Sequence, residues 1–222
     1  MNALVLALLL QGQVVVDEGT LIVRQDTAEV AREAFRLVAG RIGTGGTGWT
    51  LATTIRYDRV RPVITVAPIL EVCCDTLPFA LQYDVAGAPE PVRILGQLGG
   101  GRFTVRFVSR ASERAREFPA NGRTAVLDDS VFAFYAFVAW RAGPQPVTVT
   151  AIVPRAMRRE SLVVEDHGSG ATALNRDAVT LRHVTVTGGQ NGVVHLWLDP
   201  ANRLMKVEIP SRRLTVERAP GG

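Results

Sequence analysis

The ten residues VFAFYAFVAW, Val131 to Trp140, contain no charged and no strongly polar side chain, and they carry five of the chain's aromatics: Phe132, Phe134, Tyr135, Phe137 and Trp140. Asp128, Asp129 and Ser130 precede them as N-cap candidates, and Gly143-Pro144 follows as a stop signal. The pattern predicts one helix of about 11 residues, too short to cross a bilayer, which takes about 20. A helix that is apolar on every side must be buried on every side. Five aromatics of about 200 Å² each, at about 25 cal/mol per Å², put an upper bound of roughly 25 kcal/mol on leaving them in water. That exceeds the stability of a typical domain. The rest of the chain has to close around this segment.

What surrounds it reads as short strands. Arg102 to Val108 alternates Phe103, Val105 and Phe107 against Arg102, Thr104 and Arg106, the pattern of a strand with one face buried and one wet. Further strands read at Thr20 to Arg24, Trp49 to Tyr57, Val63 to Val72, Phe79 to Val85, Val92 to Leu98, Pro146 to Val153, Ser161 to Val164, Val179 to Thr187, Val193 to Leu198, Leu204 to Ile209 and Leu214 to Arg218. Ala28 to Val38 fits a strand, with Ala31, Glu33, Phe35 and Leu37 on one side, and fits a helix as well. Twenty-one glycines and 12 prolines are spread along the chain, as turns between many short strands require, and DPAN (Asp199 to Asn202) and PSRR (Pro210 to Arg213) read as tight turns. The glycines of RIGTGGTGWT are followed by strand-like residues rather than GK[ST] and a helix, so they join a hairpin and do not cradle phosphate. The fold class expected is all-β with one buried helix: an antiparallel meander curled into a half-barrel or open barrel around the aromatic segment. One domain spans residues 14–218, followed by a flexible tail at 219–222.

At the N-terminus, Ala3 to Leu10 is an apolar run of signal-peptide h-region length, within residues 1–13. It lacks a basic n-region and a small-x-small cleavage site, and a first β-strand running into Val14-Val15-Val16 is the rival reading. Export, to the periplasm or beyond, is the expectation.

Composition restrains the functional reading. The chain has a net charge of +4 and a pI near 9.7, but all of its basic residues except Lys206 are arginine, as a GC-rich coding background would produce. With no nucleic-acid-binding signature and no Cys/His zinc pattern, no nucleic-acid partner is expected. Cys73 and Cys74 are adjacent and cannot join distant elements. His167 lies in EDHGSG, which reads as a turn, while His183 and His195 fall in strands that can be neighbours, with Trp197 on the same side as His195. No GxSxG elbow and no cysteine–histidine pairing motif is present, so no catalytic residue, metal site or cofactor is assigned and a non-enzymatic protein is expected.

Three stretches together, GTLIVRQDTAEVAREAFRLVAG, VLDDSVFAFYAFVAW and VVHLWLDPANRLMKVEIPSRRLTVERA, resemble uncharacterised bacterial families of exported domains. Those families are thought to share the open, helix-plugged β-barrel of the outer-membrane lipoprotein carriers and receptors. The resemblance implies a fold, an envelope location and an apolar cavity; it supplies no catalytic residue. Two functions follow as expectations. In the first, Phe132, Phe134, Tyr135, Phe137 and Trp140, with Trp197 from the sheet, line a pocket for a lipid, acyl chain or other apolar ligand. In the second the aromatics are solid core, and the protein is an accessory or assembly subunit of an envelope or membrane complex. Its docking face is then the basic surface of Arg102, Arg106, Arg110, Arg114 and Arg116, which can also touch anionic lipid headgroups or an acidic envelope protein.

Overall fold

Strand alternation dominates the computed structural model, which describes residues 13–43, 46–59, 61–87 and 90–221. The N-terminal apolar run lies outside the described residues. Fifteen strands are described: β1 (Val14–Gln25), β2 (Ala28–Ile42), β3 (Gly46–Tyr57), β4 (Ile64–Cys73), β5 (Pro78–Ala86), β6 (Val92–Gly99), β7 (Arg102–Val108), β8 (Glu113–Pro119), β9 (Thr124–Val126), β10 (Val147–Val153), β11 (Arg158–Leu174), β12 (Asp177–Gly188), β13 (Val193–Leu198), β14 (Leu204–Ile209) and β15 (Leu214–Arg218). All belong to one sheet, in the order β8-β7-β6-β5-β4-β3-β2-β1-β15-β14-β13-β12-β11-β10-β9. β1 and β15 pair in its middle, with Leu21 opposite Arg218 and Val23 opposite Val216. The two free edges therefore come from the middle of the chain, and residues 120–123 join them. The ambiguous stretch at 28–38 is strand, part of a hairpin in which Ile42 opposes Gly46. Asp199 closes its turn by accepting from the backbone of Ala201 and Arg203.

Among the described strands one pair is parallel, β9 with β10, and it explains where the aromatic segment goes. Parallel neighbours need a crossover of a dozen or more residues, usually helical. Residues 127–146 are that crossover. Its helix, α1 (Tyr135–Ala139), has five residues rather than the predicted 11 or so. Asp128, Asp129 and Ser130 do not cap it: the N-cap is Phe134, without a side-chain cap. The preceding turns are instead held by side chains from the surrounding wall. Helix period and strand wall compete here, and the wall supplies the better hydrogen-bond acceptors.

Every strand turns its apolar row inward onto this crossover, giving one core in which Val131, Phe134, Val138 and Ala139 meet Leu51, Ile55, Val149, Leu196 and Val207. The sheet rolls further than a closed ring. β9 lies against β5, and the Pro154–Ala156 turn lies against β6. The β9 edge is thus tucked inside and wholly buried. The β8 edge stays outside, with Glu113, Arg114, Ala115, Arg116 and Glu117 all exposed. Arg141 fastens the overlap. Its guanidinium donates to Thr76 Oγ1, Thr76 O and Thr124 O at 2.6–2.7 Å, and burial lowers its pKa to about 10.

On the outer side, the β11–β12 hairpin folds back on the sheet. A bulge between Asp166 and Ser169, with Gly168 at φ 72°, bends it. Its two-residue tip, Asn175-Arg176, has positive φ at both positions, as a type I′ turn requires. The tip then covers β13–β15: Lys206 Nζ donates to Ala173 O (2.7 Å) and Asn175 Nδ2 to Arg218 O (2.9 Å). Gly170 passes so close to Trp197 that a Cβ there would sit 3.2 Å from the indole.

Candidate functional site

The interior is nearly full. Phe132, Phe134, Tyr135 and Phe137 are all buried in the core. The cavity between plug and sheet measures about 70 Å³ and is lined by Phe35, Leu37, Leu51, Ala136, Phe137 and Trp140. An apolar cavity of about 150 Å³ is what holds benzene, so no acyl chain fits here. Of the six aromatics predicted to line a pocket, Phe137 and Trp140 do so. Phe132, Phe134 and Tyr135 are packing residues, and Tyr135 Oη accepts from Asn191 Nδ2 at 3.2 Å.

Trp197 is corrected outright. Its neighbours Leu196 and Leu198 face the core, so alternation turns the indole to the outer surface. There it stacks on His183 at 4.1 Å and donates to Glu208 Oε2 at 3.2 Å. All three histidines of the chain meet on this outer wall. His183 Nε2 shares a hydrogen bond with His195 Nδ1 (3.0 Å), and the His167 ring lies 5.1 Å from that of His183. His167 is in strand β11, not in the turn expected from EDHGSG, and its Nε2 bonds Thr185 Oγ1 at 2.8 Å. Among the described residues no group of three or more His, Cys, Asp or Glu side chains could hold a metal ion.

Inside, a polar cluster fastens the N-terminal end of the plug. Glu33 stands in the apolar row of β2 between Ala31 and Phe35 and is fully buried. Its carboxylate accepts from the backbone N–H of Phe132 (2.8 Å) and Ala133 (3.1 Å) and from Thr53 Oγ1 (2.8 Å). Burial pushes its pKa up to about 7, against the downward pull of those three bonds. Asp128, also buried, accepts from Ser130 N (2.8 Å) and pairs with Arg155 Nε (2.9 Å). Burial raises its pKa, with the Arg155 guanidinium pulling the other way. Arg155 reaches Ser130 Oγ as well, and Tyr57 Oη donates to Ser130 O. The buried Tyr83 hydroxyl lies within electrostatic reach of Asp128 and Arg155 but has no hydrogen-bond partner of good geometry among the described residues.

Above this cluster the overlap of the rolled sheet leaves a groove of about 350 Å³. Val85, Val92, Ile94, Phe107 and Val153 form apolar walls, and Asp128, Asp129 and Arg155 give it a charged floor. Asp128 is wholly enclosed, so the charged groups of the floor that meet solvent are the Arg155 guanidinium, one-third exposed, and the slightly more exposed Asp129 carboxylate, which lies 3.4 Å from Arg158. The sequence signals for this site were present but local. Glu33 was a lone acid in an apolar row, and Asp128 looked like a helix cap. Nothing in the sequence connected either of them to Arg155 or Tyr83.

The five arginines predicted as a docking face divide by side. Arg102 and Arg106 point outward and pair across the ladder with Glu117 and Glu113. Arg114 and Arg116 share the inner side with Phe118. Arg114 stacks over Phe107 at 4.9 Å, and Arg116 donates to Met157 O at 2.7 Å. Arg110 is exposed in the β7–β8 turn.

No protein-family model and no curated protein matches the chain. A solved structure does: the crystal structure of a beta-barrel-like protein of domain of unknown function DUF1849 from Brucella abortus, at 13% identity and a TM-score of 0.50 over 93% of each chain. At that identity the likeness is one of fold, and it supports a barrel-like architecture.

Proposed function

We propose that this protein is an exported, non-enzymatic binding protein whose site is the groove above Arg155 rather than the barrel interior. Its ligand is amphipathic: an apolar chain laid along Val85, Val92, Ile94 and Phe107, with an anionic group at Arg155. The observation that carries this reading is the groove of about 350 Å³, with apolar walls and a charged floor in which Arg155 is the cation. That volume falls within the roughly 300–1,000 Å³ of small-molecule sites, whose usual form is apolar walls with a few convergent polar groups. The plugged interior, at about 70 Å³, argues against carriage inside the barrel. The apolar run Ala3 to Leu10 supports export.

The test is titration with dodecyl phosphate below its micelle concentration, read by native mass spectrometry. Val92→Trp fills the groove and should weaken binding at least tenfold, while Ala136→Val, which narrows the interior cavity, should leave it unchanged. Binding that ignores Val92→Trp, or no binding by the unmodified protein, sinks the proposal. The second reading, an accessory subunit, draws its support from the open β8 edge.

A further inference from the structure

The β7–β8 register determines which backbone groups of the free edge face out. Ala120 N donates to Gly101 O and Ser109 N to Ser112 O, and the ladder pairs Phe118 with Phe103, Arg116 with Val105 and Arg114 with Phe107. Hydrogen-bonded pairs alternate along an antiparallel ladder. The even-numbered residues of β8 therefore spend their N–H and C=O groups on β7. Glu113, Ala115 and Glu117 turn theirs outward, and Pro119 ends the row without an N–H. All three are exposed, so the edge offers three evenly spaced donor–acceptor pairs to an extended chain.

The side chains choose among occupants. Arg114 and Arg116 project on one face of the edge, and Glu113 and Glu117, already paired with Arg106 and Arg102, on the other. A second copy is a poor fit. The symmetric antiparallel register that engages all three outward residues sets Arg114 opposite Arg116 of the second copy, and Glu113 opposite its Glu117. Like charges directly opposite each other destabilise a strand pair. Such charge placement guards an edge against its own kind, yet it leaves two arginines on one face for a strand that carries acids at alternate positions.

We infer that the β8 edge is a strand-addition site for an extended, acidic segment of another protein, held by the Glu113, Ala115 and Glu117 backbone and selected by Arg114 and Arg116. This is the β-augmentation mode, in which main-chain bonds give affinity and alternate side chains give specificity. It does not depend on the groove or its ligand.

The probe is a fluorescein-labelled ten-residue peptide of alternating Glu and Val, with a Lys-for-Glu version as control, titrated by anisotropy against the whole protein. The acidic peptide should bind at least tenfold more tightly than the basic one. Ala115→Pro removes the central outward N–H and should weaken binding at least tenfold with the melting temperature unchanged. Arg114→Glu together with Arg116→Glu leaves the backbone intact and should reverse the peptide preference, which keeps the test decisive if the proline variant does not fold. No binding at 100 µM, equal binding of the two peptides, or indifference to both variants overturns the inference. So does sedimentation showing a dimer that Ala115→Pro dissolves, because the occupant would then be a second copy.

Discussion

Two titratable clusters stand on opposite faces of the same sheet, and they pull stability in opposite directions with pH. On the inner face Glu33 and Asp128 are enclosed, and burial raises both carboxyls. On the outer face His183 is half-buried between His167, His195 and Trp197, and its pKa is lowered, first by burial and then by its two histidine neighbours. The same physical cause, loss of water around a charge, favours the neutral form of an acid inside and of a base outside. The inner cluster makes the fold prefer acid; the outer one makes it prefer alkali. The clusters also differ in what they hold. Glu33 and Asp128 fasten the plug, whereas His167 and His183 belong to the folded-back β11–β12 hairpin and meet His195 of β13.

Breaking the inner cluster should have the largest effect. Glu33→Ala orphans the N–H groups of Phe132 and Ala133 and the Thr53 hydroxyl, at a cost of roughly 3–4 kcal/mol. Urea unfolding at pH 5 is the suitable measurement, because the carboxyl is then neutral and relief of a buried charge does not offset the loss. A change below about 1 kcal/mol would mean that the plug is held by packing alone.

The pH slope comes next. Glu33 ionises at about 7 in the fold, against an ordinary value of 4.5. Its contribution is fully present below pH 4.5 and lost as pH rises through 7, about 3 kcal/mol in all. Glu33→Gln should flatten that fall, and parallel curves for the two proteins between pH 4.5 and 8 would remove Glu33 as its source. Asp128 contributes in the same direction. Arg155→Ala leaves it enclosed without its cation and should cost about 2 kcal/mol at pH 8, less than a fully buried broken pair because Arg155 itself is partly hydrated. The loss should shrink at pH 5; a loss independent of pH would point to packing rather than charge.

The outer cluster should respond least and with the opposite sign. As pH falls below 6.5 the unfolded chain takes up a proton that His183 resists, so stability is lost towards acid. The effect should be well under about 1 kcal/mol because the ring is only half-buried. Trp197 fluorescence between pH 7 and 5 should report it, since the indole stacks on His183. His183→Gln should remove the change, and its persistence would assign it to another group.

The aromatic run at 131–140 announced its own burial, and the period-two alternation of stretches such as 102–108 announced strands with one apolar face. Both signals are local, so the all-β class and the enclosed plug were legible in residue order. The length of the helix was not. Val131 to Phe134 look helical until Glu33, about a hundred residues away, offers its carboxylate to their backbone. Trp197 looked like a pocket wall because alternation reports two faces without saying which is inside.

Residue order by itself determined most of the strands, though not the two edge strands β8 and β9, together with the apolar crossover and the arginine-rich composition. These depend on side-chain chemistry at spacings of two to four residues. Tertiary structure alone decided that β1 pairs with β15, that β9 is tucked inside while β8 is left open, and that three scattered histidines stack on one wall. Those outcomes turn on how far a twisted sheet of fifteen described strands rolls before its core is full, and on the parallel β9–β10 pair that sends the plug across its concave face.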